Sequence, residues 1–509
     1  MLVQERRVPD ILECLVQLSS DEVPTPPKLA NAMLDLLPSE VWTDPDYRWC
    51  DPCSKSGVFL REIVKRLLFS GLIEWEPDFE KRRDHIFRNM IFGCGITELT
   101  GIISRRTVYY SRHASSEHSV VVFDDDQGNI PFVRGEHDIV NGHCRICGAP
   151  EDLERGPNRE NYAYAFIHGA YPTEEMSDMK FDVIVGNPPY QIDSDGNTRT
   201  KPLYNKFVQK AIDMDPRYVV MITPSRWFAG GLGLGDFRRQ MLEDRRMARV
   251  VDYRVEKDVF PGVNINGGVS YFLWDAQHDG KCLVSHVPAG GTPGIPEARY
   301  LDEFDLLVRQ NTGVRILRKV RKRKEATLDQ KVSSQKPFDL HTNFQGSSSK
   351  AGVSNAVLMH GAGGHASWVS RDTITKGADW IDSWKVFLPA ASDGNEVFPA
   401  PIWDVTRGPF VGRPGEIANG SYLVVYPTSH EATARAVAAY LRSRFARFLV
   451  SLRKIAQHND AGRFAFVPDL PMDREWTDAD LYARYDLTDE EIAFVESQVK
   501  EMPAVADVE

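Results

Sequence analysis

The sequence predicts an α/β protein, a largely parallel sheet with helices on both faces, followed by an irregular α+β module. Three observations predict it. The apolar run Phe181-Asp182-Val183-Ile184-Val185-Gly186 ends in Asn187-Pro188-Pro189-Tyr190, which sets a rigid polar corner at the carboxyl end of a buried strand. Upstream, Tyr47-Arg48-Trp49-Cys50 passes through a small-residue turn into an apolar-periodic helix, the strand-turn-helix order of a nucleotide cradle. Beyond Trp274 this alternation gives way to short β-like runs separated by glycine and serine, as expected of a less regular module.

The elements follow in chain order. Val23-Pro24-Thr25-Pro26-Pro27-Lys28-Leu29-Ala30 opens a helix that places Leu29, Met33, Leu36 and Leu37 on one face, because proline suits the first helical turn. The next strand ends at Asp51-Pro52-Cys53-Ser54-Lys55-Ser56-Gly57, and the helix after it carries Ile63, Val64, Leu67 and Leu68. An acid at the strand end and free N–H groups at the helix start make a cradle there. Ile91-Phe92-Gly93-Cys94-Gly95-Ile96-Thr97-Glu98 predicts a second strand. A ribose-binding acid is expected just after it, since one carboxylate pairs with two hydroxyls. Gly95 occupies the strand end, so Glu98 is the nearest candidate.

Residues 111–179 read as an insertion before the strand that ends at Asn187. They include His143-Cys144-Arg145-Ile146-Cys147-Gly148, half of a tetrahedral zinc site by spacing. Cys144, Cys147 and His143 are the candidate ligands, with His113, His118 and His137 as further partners; two thiols without a metal are the other reading. After the corner, Lys201 to Ile212 predicts a helix, Tyr218 to Thr223 a strand, Gly230 to Gly235 a flexible loop and Asp236 to Met241 a helix. Val259-Phe260-Pro261 and Gly267 to Trp274 predict the last hairpin of the sheet. Gly290, Gly291, Pro293 and Gly294 punctuate the chain and suggest two domains, 1–285 and 286–509.

Consecutive prolines hold Asn187 and Pro188 near extended geometry, so the Asn187 oxygen and the Pro188 carbonyl converge as acceptors suited to an amino group. Tyr190 offers a flat face to a planar base. In these residues and their order the chain resembles the gamma class of DNA amino-methyltransferases, the type II restriction-modification methylases with an Asn-Pro-Pro-Tyr motif. The resemblance implies a Rossmann-like S-adenosylmethionine methyltransferase sheet over 1–285 and a target-recognition and DNA-binding domain over 286–509. It assigns catalysis to Asn187, Pro188, Pro189 and Tyr190. It assigns the cofactor to Thr25, Pro26, Asp51, Pro52, Cys53, Ser54, Ser56, Gly57, Phe59 and Glu98, and base stacking to Tyr190, Tyr271 and Phe272. The chain departs from the family's usual pattern at Lys55, where a glycine is common, and at Gly95, where an acid is common.

The activity so implied is methyl transfer from S-adenosylmethionine to N6 of an adenine flipped out of double-stranded DNA, in restriction-modification or phage defence. Cytosine N4 methylation and a degenerate DNA-binding paralogue are the alternatives; Asn187 rather than serine favours adenine. Carbon methylation would need a cysteine nucleophile, and the Pro-Cys pair of this sequence, Pro52-Cys53, lies in the cofactor turn.

Composition sets wider bounds. The 509 residues carry 61 Lys and Arg against 72 Asp and Glu, a net charge of −11, so DNA binding must rely on local charge within about 8 Å of the phosphates. Two basic runs are candidates: Arg315, Arg318, Lys319, Arg321, Lys322, Arg323 and Lys324, and Arg442, Arg444, Arg447, Arg453 and Lys454. Seven scattered cysteines point to a reducing compartment. No signal peptide or long apolar stretch is evident, which suggests a cytoplasmic bacterial or phage enzyme without a membrane partner. No nuclease-like segment stands out, so a cognate restriction endonuclease is expected as a separate chain.

Overall fold

The computed structural model describes residues 23–151, 163–176, 178–192, 201–231, 233–265, 267–391, 402–403, 408–453 and 458–502. The chain divides into two compact units, Met1–Leu307 and Val308–Glu509.

In the first unit, the described strands β1 (Trp49–Ser54), β2 (Ile91–Gly95), β3 (Val183–Gly186), β4 (Tyr218–Pro224), β5 (Met247–Tyr253), β6 (Val269–Asp275), β7 (Cys282–Val287) and β8 (Glu297–Arg299) form one mixed sheet. Their order is β8-β7-β5-β6-β4-β3-β1-β2. Every residue of β1 to β4 is buried, the mark of strands covered on both faces. β1 runs parallel to both neighbours, with Trp49 opposite Ile91 on one side and Val183 on the other. The chain therefore leaves β1 in one direction to make β2 and returns past it to make β3. That reversal opens a crevice at the carboxyl ends of β1 and β3, where Asp51 and Asn187 stand.

Helices cover the sheet. α1 (Pro27–Leu34) begins with proline and buries Leu29, Ala30, Met33 and Leu34. α2 (Val58–Arg66) starts after Gly57, whose φ of 73° is left-handed, and packs on β1, β2 and α1. α3 (Glu98–Tyr109) opens with a capping box made by Thr97 and Thr100. Past α3, an extended run lies against the edge of the sheet: Gly93 N and Gly95 N donate to Asn129 O and Pro131 O, both at 2.9 Å. The insertion thus begins as an edge of the sheet.

Two boundaries differ from those predicted. The helix expected from Lys201 starts at Tyr204 as α4 (Tyr204–Asp213), because Lys201–Pro202 pair with Gln191–Ile192 and the Leu203 N–H donates to Tyr190 O at 3.0 Å. A boundary at 285 would cut β7, which runs to Val287 and pairs with β8 through Cys282 and Arg299. The glycines and proline at 290–294 thus connect two strands of one sheet. α5 (Gly235–Glu243) follows the glycine loop as expected.

The second unit is α+β. β9 (Ala356–His360), β10 (Ala366–Ser370) and β13 (Glu416–Ala418) form one described sheet, and β11 (Trp384–Pro389), β12 (Phe410–Gly412) and β14 (Tyr422–Thr428) another. Phe338, Met359, Phe387, Ile417 and Tyr422 share a core. The helices are α6 (Asn311–Lys322), α7 (Glu431–Arg442), α8 (Arg444–Ser451), α9 (Asp478–Arg484) and α10 (Asp489–Gln498). The first basic run lies on and just after α6, where Arg315, Arg318, Arg321 and Lys322 are exposed. The second is tied down: Arg447 is fully buried on backbone carbonyls of Arg442, Ser443 and Lys500, and Arg444 pairs with Glu496 and Glu501. Lys454 lies outside the described residues. Among the described residues no helix is long and apolar enough to cross a membrane.

Candidate active site

The turn after β1 and the corner after β3 meet in a small cavity that is open to solvent. From β1, the turn after it and α2 it is lined by Asp51, Cys53, Lys55, Ser56, Gly57, Val58 and Phe59; Thr25 and Asn187 complete it. Six of the ten residues expected at the cofactor, namely Thr25, Asp51, Cys53, Ser56, Gly57 and Phe59, therefore share one wall with the expected catalytic Asn187.

Local sequence explains the wall. A Cβ on Gly57 would come within 3.0 Å of the Ser104 backbone in α3, and its left-handed φ disfavours any other residue. A Cβ on Gly186 would come 2.7 Å from Cys53 Sγ and 3.3 Å from Asp51 Oδ1, so the last residue of β3 must be glycine for β1 and β3 to close on the crevice. Asp51 is buried and accepts the Cys53 N–H at 3.3 Å. Burial pushes its carboxyl up to about 7, against the opposing pull of the Cys53 N–H, Ser54 and Lys55. A buried carboxylate held near neutrality calls for a cation.

Asn187 carries the most specific information. It is 3% exposed, and its Nδ2 donates to Val23 O and to Thr25 Oγ1, each at 3.1 Å. These two bonds fix the amide's orientation, while Oδ1 is buried with no hydrogen-bond partner among the described residues. A buried acceptor without a donor costs about 1–3 kcal/mol, a penalty that a visiting N–H group relieves. Tyr190 is also buried, its hydroxyl without a hydrogen-bond partner among the described residues, and Lys55 Nζ lies 6.0 Å from its ring centroid. Lys55 Nζ also donates to Val23 O at 3.4 Å, so the residue that departs from the family pattern spans the cradle and the corner.

Other expected site residues sit apart from this cavity wall. Pro26 precedes α1, and Pro52 and Ser54 lie within β1; the Ser54 hydroxyl pairs with that of Ser104 at 2.9 Å. Glu98 is exposed in the first turn of α3. Gly95 cannot carry an acid without rearrangement, because a Cβ there would fall 2.6 Å from Gly101 Cα. Phe272 is fully buried, opposite Met221 and Val250 in neighbouring strands. Tyr271, on the other face, packs its ring 6.1 Å from that of Tyr253.

The insertion gathers a second group. His137, Cys144, Cys147 and His168 bring one ligand atom each within 4.8 Å of all the others. His143 is not among them: in the two-residue strand His143–Cys144 the side chains take opposite faces, and His143 is exposed with Nδ1 3.4 Å from Asn141 O. His113 is paired with Asp126, and His118 sits at the exposed surface beside Glu117. His168 escaped the sequence reading because it lies twenty-one residues beyond Cys147, at the end of a short helix.

An open sheet whose switch point joins an acid-bearing cradle to an Asn-Pro-Pro-Tyr corner defines a methyltransferase-type site. Residues 89–260 match the Eco57I restriction-modification methylase family. A protein of Mycoplasma pneumoniae (strain ATCC 29342 / M129 / Subtype 1) described as an uncharacterized adenine-specific methylase is 35% identical over 306 residues, covering 54% of this chain and 72% of that protein. Among solved structures, the type IIL restriction-modification enzyme MmeI in complex with DNA is similar at 12% identity and a TM-score of 0.47, over 94% of this chain and 70% of that one. A type I methyltransferase subunit from Streptococcus thermophilus is similar at 14% identity and a TM-score of 0.31, over 60% of this chain; this chain spans about half of that subunit, 54%. The chain belongs to the adenine-specific methylases of the Eco57I restriction-modification family, and it is a methyltransferase.

Proposed function

We propose that the chain methylates N6 of an adenine rotated out of double-stranded DNA, within a restriction-modification system and beside a separately encoded endonuclease. The observation that carries this reading is the Asn187 amide, whose NH₂ is held by Val23 O and Thr25 Oγ1 while its oxygen is buried and unpartnered. An aromatic amine is a weak nucleophile because its lone pair is delocalised into the ring. Asn187 Oδ1 and the Pro188 carbonyl accept hydrogen bonds from the two amine protons and draw the nitrogen toward tetrahedral geometry, which frees the pair for attack. The Asn187 amide stays neutral throughout, so its contribution is orientation and electrostatics rather than proton abstraction.

S-adenosylmethionine fits the cradle and, bound there, supplies an electrophilic methyl group. Asp51 offers a buried carboxylate to its positive charge, and the free N–H groups at the start of α2 face the cavity beside Gly57 and favour its carboxylate. Tyr190 provides the stacking face for the extruded base, worth about 1–3 kcal/mol, toward an extrusion that costs a few kcal/mol. For that, the Lys55 ammonium has to share or leave the ring face it now overlies.

The adenine-specific relative favours adenine over cytosine. A binding-only paralogue is disfavoured because the departure at Gly95 is accounted for by helix packing. Transfer of labelled methyl groups to DNA, followed by nucleoside analysis, tests the proposal. Label in N6-methyladenine is the expected result; label in N4-methylcytosine, or DNA binding with no transfer, overturns it.

A further inference from the structure

We propose that His137, Cys144, Cys147 and His168 hold one structural zinc ion, which ties the cysteine turn of the insertion to the short helix that packs on the helix following the catalytic corner. Two of the separations match the edges of a zinc tetrahedron, and all four atoms lie within 4.8 Å of one another. Zinc bonds of about 2.3 Å to sulfur and 2.0–2.1 Å to nitrogen imply ligand-to-ligand edges of roughly 3.4–3.8 Å. Cys144 Sγ lies 3.5 Å from His168 Nε2, and Cys147 Sγ lies 3.4 Å from His137 Nδ1. The two imidazoles meet edge to face with centroids 5.4 Å apart, which turns both toward the sulfurs.

The surrounding structure prepares these atoms. The ladder Ile139–Val140 with His143–Cys144 leads into a tight turn, in which Gly148 N donates to Cys144 O at 2.9 Å and Cys144 N donates to Ala149 O at 2.8 Å. Gly148 has a φ of 78°, and the turn brings Cys144 and Cys147 to the same side. His168 Nδ1 lies 2.9 Å from Tyr164 O; with its proton on Nδ1, that bond leaves Nε2 as the coordinating nitrogen, the usual outer support of a metal-bound histidine. Two thiolates and two imidazoles select zinc over the hard cations. Four protein ligands leave no position for a substrate or water, so the site is structural rather than catalytic.

The packing shows what the ion would secure. His168 ends the helix Ala165–His168. Phe166 of that helix stacks on Phe207 of α4 at 5.9 Å, and Tyr164 meets the same ring edge-on at 5.7 Å. α4 begins one residue after Leu203, whose N–H donates to Tyr190 O at 3.0 Å. One ion would thus tie the cysteine turn to the short helix that buttresses α4, behind the catalytic tetrapeptide.

The test is metal analysis of the full-length chain after expression with added zinc and gel filtration. About one zinc per chain is expected in the wild type and in His143→Ala, and less than a tenth of that in Cys144→Ser and His168→Ala. Cobalt substituted for zinc should give thiolate charge-transfer bands and the visible absorption of a four-coordinate ion. A wild-type chain that elutes without zinc and takes up no cobalt overturns the proposal whether or not the variants fold. Zinc lost in His143→Ala but kept in His168→Ala overturns the ligand set, and a Cys144–Cys147 disulfide in freshly purified protein does the same.

Discussion

At the ends of β1 and β3 the polar groups are held so that something else can complete them, whereas in the insertion four donors already face one another. Asn187 has both amide protons occupied and its oxygen vacant, and Asp51 is buried without a basic partner strong enough to keep its carboxyl at the ordinary value. His137, Cys144, Cys147 and His168 instead gather within 4.8 Å of one another, with two of their separations, 3.5 and 3.4 Å, at the edge lengths of a zinc coordination sphere. An open site spends stability on a visitor, and a closed one gains stability from its ion. Substitutions in the first should change chemistry at nearly constant stability; substitutions in the second should do the reverse.

The sharpest test of that contrast is Asn187→Ala. Loss of one transition-state hydrogen-bond partner in a dry site typically costs 10²–10³ in rate. The variant should lose about that much in single-turnover methylation, while its affinity for S-adenosylmethionine changes by less than about threefold. A melting temperature within a few degrees of the wild type is expected, since removal of the unpartnered Oδ1 offsets part of the loss of the two Nδ2 hydrogen bonds. Unchanged turnover would separate the corner from the chemistry and void the proposed mechanism.

The next effect belongs to the insertion. Chelation of zinc, or His168→Ala, should lower the thermal midpoint of the first unit by roughly 5–10 °C, as read by calorimetry, and restored zinc should recover it for the wild type only. Methylation measured well below the new midpoint should fall far less than in Asn187→Ala. If chelation removed activity without moving the midpoint, the ion would have a role at the reacting groups, and the distinction between open and closed sites would fail.

The two regions also differed in how readily the sequence disclosed them. Asp51 to Phe59 and Asn187 to Tyr190 were legible because each is a local device: an apolar strand, a turn rich in small residues or proline, and a helix start. Their meeting followed from the switch in strand order that such units impose. The metal cluster was legible at its cysteines, because a CxxC turn is local, and at His137 as one of several candidate histidines; His168 reaches it from a separate helix and left no local signal. His143 was the nearest histidine in sequence and the wrong one in space, since neighbouring residues of a strand point to opposite faces. The 285 boundary was misplaced for a related reason: the glycine- and proline-rich stretch after β7 has a linker's composition but joins two hydrogen-bonded strands.

Gly95 shows where a family pattern yields to packing. Gly95→Ala would put a methyl group 2.6 Å from Gly101 Cα and 2.7 Å from Gly101 N, and both neighbours are backbone, unable to swing aside. A loss of roughly 1–3 kcal/mol is expected from such overpacking, measurable by urea denaturation. Stability equal to the wild type would mean that α3 has room to shift from β2, and that the missing strand-end acid is not explained by helix packing.

The smallest effect expected is one of pH, and it bears on why the open site tolerates a strained acid. Burial holds the Asp51 carboxyl at about 7, above its unfolded value near 3.9. Because the folded chain retains this proton between those values and the unfolded chain does not, the group favours folding at low pH. That contribution is lost progressively as pH rises from about 4 to about 7. A bound cation reverses the preference by favouring the carboxylate, so S-adenosylmethionine should release a proton when it binds below pH 7. Its affinity should then fall up to tenfold for each unit of pH below about 7 and level off above it. Calorimetric titration at pH 6, 7 and 8 in buffers of different ionisation enthalpy reads both quantities, and Asp51→Asn should bind more weakly at pH 8 and lose the slope. An affinity that is flat from pH 6 to 8 in the wild type would mean that the Asp51 carboxylate does not meet the cofactor's charge, and the cradle would have to hold that charge through backbone groups alone.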